Sequence, residues 1–325
     1  MCILISSIEH PDYPFILLSN RDEYFKRPTQ RAHFKDYDGV RVLSPLDLGR
    51  QEHGTWIAVN TDGKLAVLVN YREKSNKDQI SEISRGVLPL QYLISDELNE
   101  EWYTKLNKLI SEKLPLGILD TVDDNVLSRI GGFSILYGQL NINKSTGTIE
   151  PLNILSNRGD VGKIFESNGD TSISDDIEIQ KTFGLSNSLY NDPWRKVELG
   201  QKMLKETIQN SVKDNYTHDQ LIESCFEILS YDTYNRNVAK NGTPHEAILE
   251  LRNSIYIPPI ELGTVNQLPD SSTVGKFYGT RTQTIIILDK KGNMHYYERD
   301  IHSSDSIDKN VKSKTNHFQF NISNK

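Results

Sequence analysis

Met1-Cys2-Ile3-Leu4-Ile5-Ser6 opens the chain and, after a turn through His10-Pro11-Asp12-Tyr13-Pro14, is answered by Phe15-Ile16-Leu17-Leu18-Ser19-Asn20-Arg21-Asp22-Glu23. Two short apolar runs around a Pro-containing turn read as an antiparallel hairpin. That pairing returns the polar tetrad Asn20-Arg21-Asp22-Glu23 to the neighbourhood of residue 2. Initiator methionine is removed enzymatically when the next residue is small, and cysteine qualifies. The processed chain would begin with Cys2, carrying a thiol of pKa about 8.5 beside an α-amine of about 7.7–8.0. Such a residue is a nucleophile with its own general base attached. Taken alone, Cys2 reads more simply as a small apolar residue opening a buried strand.

Composition narrows the setting. The 325 residues suffice for a substantial core, and a formal net charge of −7 argues against nonspecific binding to nucleic acid or anionic membrane. Two cysteines, Cys2 and Cys225, make no disulfide framework, which points to a reducing, intracellular and cytoplasmic compartment. The eight His form no His-x-His or His-x-x-x-His pair, so no metal is expected. No other cofactor is expected either, because phosphate-cradling Gly-rich motifs are missing, as is a Gly-x-Ser-x-Gly elbow. Residues 2–5 and 15–18 are too short, and too interrupted by Glu9 and Asp12, for a secretory signal. No apolar run reaches membrane-spanning length, so no transmembrane segment is expected.

Further along, residues 55–59 and 64–69 flank Asn60-Thr61-Asp62-Gly63, a hairpin whose Asp-Gly pair supplies positive-φ turn chemistry. Helical spacing follows at Val87, Leu90, Leu93 and Ile94, and again at Trp102, Leu106, Leu109 and Ile110. Strand signals return at 133–140 and 148–155, helices after Pro193 and at 221–229, and a last hairpin at 282–288 and 294–298. Residues 300–314 are polar and read as a loose surface loop, after which Phe318, Phe320 and Ile322 alternate as a strand. The expected organisation is one α+β domain spanning residues 1–325.

Four polar clusters sit at strand ends, where backbone geometry can aim them into a cleft. They are Asn20-Arg21-Asp22-Glu23, Asn70-Tyr71-Arg72-Glu73, Gly184-Leu185-Ser186-Asn187-Ser188 and Tyr278-Gly279-Thr280-Arg281-Thr282-Gln283-Thr284. A guanidinium near Cys2 favours thiolate, a carboxylate orients an α-ammonium, and an Asn amide stabilises an oxyanion. Each cluster alone reads equally as ordinary turn chemistry. Their conjunction with Cys2 singles out the N-terminal nucleophile among the standard catalytic constellations.

With Gly54-Thr55-Trp56, Asn70-Tyr71-Arg72, Ser84-Arg85-Gly86, Leu185-Ser186-Asn187 and Gly279-Thr280-Arg281, the Met1-Cys2 start and its tetrad resemble the NRDE family, also called the transport-and-Golgi-organisation family. The match runs over residues 2–288. The resemblance implies a four-layer αββα sandwich of the N-terminal nucleophile hydrolase type. It implies Cys2 as nucleophile and base, Arg21 lowering its thiol pKa and Asp22 holding its amine. Asn70 and Asn187 would supply oxyanion and amine contacts, and Arg281 would support the charge. Related enzymes separate the Arg and Asp by two residues, whereas here the two are adjacent.

The function implied is amidase or acyltransferase chemistry on a small acyl amide or thioester. The alternative is a non-catalytic protein handling a haem-like or acyl-CoA ligand. The family's associations are with Golgi organisation, secretion, mitochondria, lipid homeostasis and haem. Lipidation at Cys2 ranks last, since a single acyl chain anchors only marginally.

Overall fold

The computed structural model describes residues 1–73, 81–113, 126–159, 161–165, 181–261, 275–307 and 314–322. Strands β1 (Ile3–Ser7) and β2 (Phe15–Tyr24) form the opening hairpin, followed by β3 (Thr29–Tyr37), β4 (Val40–Asp47), β5 (Ile57–Asn60) and β6 (Lys64–Asn70). Helices α1 (Val87–Ile94) and α2 (Asn99–Lys113) precede β7 (Phe133–Gln139), β8 (Leu152–Ser156), β9 (Val161–Ile164) and β10 (Thr182–Ser186). Four helices follow: α3 (Arg195–Lys213), α4 (His218–Leu229), α5 (Arg236–Asn241) and α6 (Pro244–Glu250). The chain closes with β11 (Ile260–Glu261), β12 (Phe277–Leu288), β13 (Asn293–Asp300) and β14 (Thr315–Asn321). By contacts these elements divide into two compact units, one of Met1–Arg27 with Thr182–Phe320 and one of Pro28–Lys181 with Asn321–Lys325.

In the first unit the antiparallel sheet runs β10-β1-β2-β12-β13-β14, with β11 pairing to β12. Ile3, Ile5, Ile16, Leu18, Ile285 and Ile287 present one face to Val197, Leu204 and Ile208 of α3 and to Leu221, Cys225 and Phe226 of α4. Every residue of β1 is buried, so its apolar part Ile3-Leu4-Ile5 reads as a run rather than as an alternating pattern, and Ser6 and Ser7 complete the strand. Helix α3 lies tight against this sheet because two glycines leave room. A Cβ on Gly200 would sit 2.3 Å from Ile5 Cδ1, and one on Gly184 would sit 2.7 Å from Val197 Cγ1. Helix α4 starts at a capping box, Thr217 accepting from Gln220 N while Gln220 returns to the Thr217 N–H. Buried in this layer, the Cys225 thiol is pushed up to about 12.

The second unit is a seven-stranded antiparallel sheet in sequence order, β3 through β9. Ala58, Ala66, Leu68, Ile135 and Tyr137 face Leu88, Tyr92 and Leu93 of α1 and Trp102 and Leu106 of α2. The Asp62-Gly63 turn is as the dipeptide suggests, with Gly63 at φ +90°. A second such turn, Asp38-Gly39 at φ 53° and 89°, joins β3 to β4. That hairpin is not anticipated above because β3 is largely exposed and carries few apolar residues. Helices α5 and α6 are likewise unanticipated: each is short and held by its caps, Asn235 and Thr243, rather than by an apolar stripe.

Strand and helix signals in the sequence thus resolve into an α+β structure, each unit pairing an antiparallel sheet with a helical layer. Between residues 300 and 314, the Asp305 carboxylate accepts from the N–H groups of Lys276 and Phe277, and residues 308–313 lie outside the described set. Among the described residues no helix is long and apolar enough to cross a membrane.

Candidate active site

The start of the chain is held between two neighbours. Ile3 pairs with Asn20 of β2 on one side and with Ser186 of β10 on the other, and Ser186 Oγ donates to Cys2 O at 2.6 Å. Strand alternation then sorts the side chains. Ile16 and Leu18 point at the helical layer, and so, two and four residues on, do Asn20 and Asp22. Asn20 is spent on the fold, its amide donating to Leu229 O at 2.8 Å and to Ile255 O at 2.9 Å.

Asp22 is the hub. Its Oδ1 accepts from Thr280 Oγ1 at 2.7 Å, and that same oxygen of Thr280 accepts from Ile257 N at 2.8 Å, which fixes the direction of the hydroxyl. Asp22 Oδ2 lies 3.3 Å from the Met1 α-amine and 3.7 Å from Lys196 Nζ. The Met1 amine also donates to the Tyr278 hydroxyl, and Lys196 Nζ donates to Met1 O at 2.5 Å. Burial presses both amines below their ordinary pKa, against the attraction of Asp22, and raises the Tyr278 phenol well above its usual range. Two amines share one carboxylate in a buried site, and a net charge there is costly. The trio is neutral when one amine gives up its proton.

Cys2 itself is half-buried, with Sγ 3.9 Å from Asp22 O. Burial raises its thiol pKa first of all; the α-amine lowers it, Asp22 raises it, and Arg21 lowers it least. Ile3 pairs with Asn20, which puts Cys2 across from Arg21 on the face away from the helices, and there the guanidinium is drawn toward Glu23. Adjacent residues of a strand point to opposite faces, so Arg21 and Asp22 serve opposite sides of the sheet, and Arg21 Nη2 reaches Glu23 Oε2 at 3.5 Å. With Met1 in place, burial holds the Cys2 thiol above its ordinary pKa, and Arg21 pulls in the other direction.

The other residues singled out from the sequence are dispersed. Asn187 is buried and directly follows Ser186, the residue bonded to Cys2. Beside it, buried Ser188 Oγ has no hydrogen-bond partner among the described residues. Arg281 lies at a bulge in the β2–β12 register and donates to Tyr24 O at 3.2 Å, Arg27 O at 2.5 Å and His302 O at 3.1 Å, which ties the end of β2 to the segment after β13. Asn70 ends β6 in the second unit and is exposed.

Lys196 is the residue that sequence reading missed. It is fully buried, which is rare for lysine. A signal was present: Arg195 and Lys196 occupy the first turn of α3, where the helix dipole disfavours cations. Thr280 and Tyr278 belong to the polar cluster at residues 278–284, and only the structure brings Thr280 onto Asp22 and Tyr278 onto the first amine.

Among known sequences, the family model described as Transport and Golgi organisation 2 matches residues 1–303. An uncharacterised protein of Saccharomyces cerevisiae is 30% identical, with 94% of this chain and 93% of that protein covered. The Transport and Golgi organization protein 2 homolog of Bos taurus is also 30% identical, covering 90% of this chain and 88% of that one. Among solved structures, a Caenorhabditis elegans ortholog of N-acylethanolamine-hydrolyzing acid amidase superposes with a TM-score of 0.38 at 13% identity, covering 88% of this chain and 92% of that one. The C2A mutant of the conjugated bile acid hydrolase from Clostridium perfringens gives 0.38 at 10% identity, covering 99% and 98%. On the family match and the identity to its relatives, the chain belongs to the Transport and Golgi organisation 2 family.

Proposed function

We propose that the protein is a cysteine N-terminal-nucleophile amidase or acyltransferase acting on a small acyl amide or thioester. The observation that carries this reading is the buried Asp22 carboxylate beside the chain's first amine, oriented by Thr280 and one residue from the Cys2 thiol. Removal of Met1 would pass that carboxylate to the α-amine of Cys2. Cys2 Sγ then attacks the acyl carbonyl carbon, and its proton goes to the Cys2 amine. The tetrahedral adduct collapses with that proton transferred to the leaving amine, and water or an acceptor amine releases the acyl group from sulfur. In this reading Asn187 donates to the oxyanion. The part given to Asn70 and the charge support given to Arg281 rest on the family resemblance. Arg21, across from Cys2 on the same face of the sheet, favours the thiolate.

The test is intact mass of the natively expressed protein before and after brief iodoacetamide treatment across a pH series, with Cys2→Ala as control. Loss of Met1, with Cys2 alkylated below the pH of a free thiol, is the expected result. Retained Met1 or an inert Cys2 removes the mechanism.

One observation favours a second reading. Met1 is only 7% exposed and its amine and carbonyl are both engaged, so a chain that folds with Met1 in place shields the Met1–Cys2 bond from removal and leaves Cys2 without a free amine. Such a protein would bind rather than turn over an acyl-CoA-like or haem-like ligand, in a Golgi-linked role in keeping with the family's name. Saturable ligand binding by a protein whose mass includes Met1 would favour it.

A further inference from the structure

Lys196 has no part in the mechanism above, yet it is the most heavily buried cation at the site. It sits in the first turn of α3 with its ammonium over the Trp194 ring, 6.0 Å from the centroid, and its backbone N–H is tied to Arg252 O at 3.1 Å. The close seat of α3 on β1 through Gly200 fixes where Nζ can go. There, among the described residues, it donates to one carbonyl oxygen, that of Met1, and stands 3.7 Å from Asp22. Cleavage of the Met1–Cys2 bond takes away that carbonyl together with a buried methionine side chain. What is left is a pocket of about one residue, walled by Lys196, Asp22 and Tyr278, in which Lys196 keeps its ion pair with Asp22 but has lost its carbonyl acceptor. Ser188 Oγ, buried and without a hydrogen-bond partner among the described residues, lies two residues past the β1–β10 pairing and is a second donor in want of an acceptor.

We propose that the pocket vacated by Met1 is the ligand-recognition site, and that Lys196 there binds a carboxylate oxygen, so that the substrate class is a small acyl compound bearing a carboxylate close to its reacting carbonyl. The inference rests on the nucleophile reading and narrows it. Lys196 replaces the lost Met1 oxygen with a ligand oxygen, and Asp22 stays with the Cys2 amine. The charged groups around the pocket are Asp22, Arg21 and Glu23 on β2, Tyr278 on β12 and Lys196 on α3. Lys196 is the one cation among them that shares Asp22's face of the sheet, and it interacts electrostatically with both Cys2 and Asp22.

The experiment compares Cys2 alkylation by iodoacetate and by iodoacetamide, which differ in carrying a carboxylate or its neutral amide. In both, sulfur forms a bond to the methylene carbon, iodide leaves, and the thiol proton passes to base. The full-length, Met1-processed protein should favour iodoacetate relative to a small free thiol. Lys196→Met should lower the iodoacetate-to-iodoacetamide rate ratio at least fivefold, and Lys196→Arg should largely restore it. A reactive Cys2 whose ratio is unmoved by Lys196→Met, or is abolished only by Arg21→Met, overturns the inference and leaves the nucleophile reading standing. A Cys2 inert to both reagents sinks the nucleophile reading first. If Lys196→Met does not fold, protection of the unmodified protein decides. Propionate should slow iodoacetamide alkylation and propionamide at the same concentration should not; equal protection, or none, overturns the inference.

Discussion

Replacing Asp22 by Asn keeps the shape of the hub and removes its charge. The carboxamide oxygen can still accept from Thr280 Oγ1, now at 2.7 Å, so the effect isolates electrostatics. Lys196 and the first amine would then sit buried with no counterion. Breaking a buried pair by removing one partner costs about 3–5 kcal/mol. A second route to the magnitude agrees: Lys196 can shed its proton instead, and taking a lysine of ordinary pKa ~10.4 to neutrality at pH 7 costs about 4.6 kcal/mol at ~1.36 kcal/mol per unit. That second figure is a ceiling and carries a signature. The penalty shrinks as pH rises, to about 1.9 kcal/mol at pH 9, because the neutral amine becomes cheaper to form. The assay is urea denaturation of wild type, Asp22→Asn, Lys196→Met and the double variant at pH 7 and pH 9. Lys196→Met alone should cost less than Asp22→Asn, since Asp22 keeps Thr280 and the first amine, and the double variant should recover at least ~2 kcal/mol relative to the sum. A cost below ~1 kcal/mol for Asp22→Asn, a cost that does not fall with pH, or strict additivity would refute the picture of two amines sharing one carboxylate.

Three further outcomes follow from the same geometry. Gly200→Val drives a side chain into Ile5, whose Cδ1 is 2.3 Å from the new Cβ, and should destabilise by about 1–3 kcal/mol or more in thermal unfolding while also weakening the seat of Lys196. Thr280→Val strips the acceptor from the buried Ile257 N–H and the donor from Asp22, and a loss of about 1–3 kcal/mol in urea denaturation is expected; a neutral result would mean that neither bond matters. His302, stacked on Phe25 at 4.3 Å, has its pKa pushed down to about 4 by burial and by Arg281. Its folded pKa lies below the unfolded value, so its contribution is complete above about pH 6.5 and is lost as pH falls towards about 4. His302→Phe should therefore flatten the acid limb of stability between pH 7 and pH 5, and an unchanged limb would assign it to other groups.

Much of the fold can be read from local pattern. Continuous apolar runs gave β1, β2 and β12, and the Asp62-Gly63 pair gave its hairpin, because each depends on neighbours in sequence. The β3–β4 hairpin escaped despite Asp38-Gly39, since β3 is mostly exposed and its pairing, not its hydrophobicity, makes it a strand. Within the site, Cys2 and Asp22 were legible from their hairpin relation. The adjacency of Arg21 and Asp22 could also be read, but its consequence needed the strand: successive side chains leave opposite faces, which separates the guanidinium from the carboxylate.

The sequence by itself determined that the chain is an α+β protein whose second residue is a cysteine returned by a hairpin to Asn20-Arg21-Asp22-Glu23, and the family match agrees. Only the tertiary structure decided what surrounds that cysteine. Lys196 lies 174 residues from Asp22 in sequence (196 − 22) and Thr280 lies 258 away, yet both meet its carboxylate. No local pattern encodes such meetings, because they are set by how closely α3 packs on β1 and by the register of β12 on β2. The same burial that assembles the hub sets its charge: desolvation, which no sequence window reports, pushes both amines down and the thiol up.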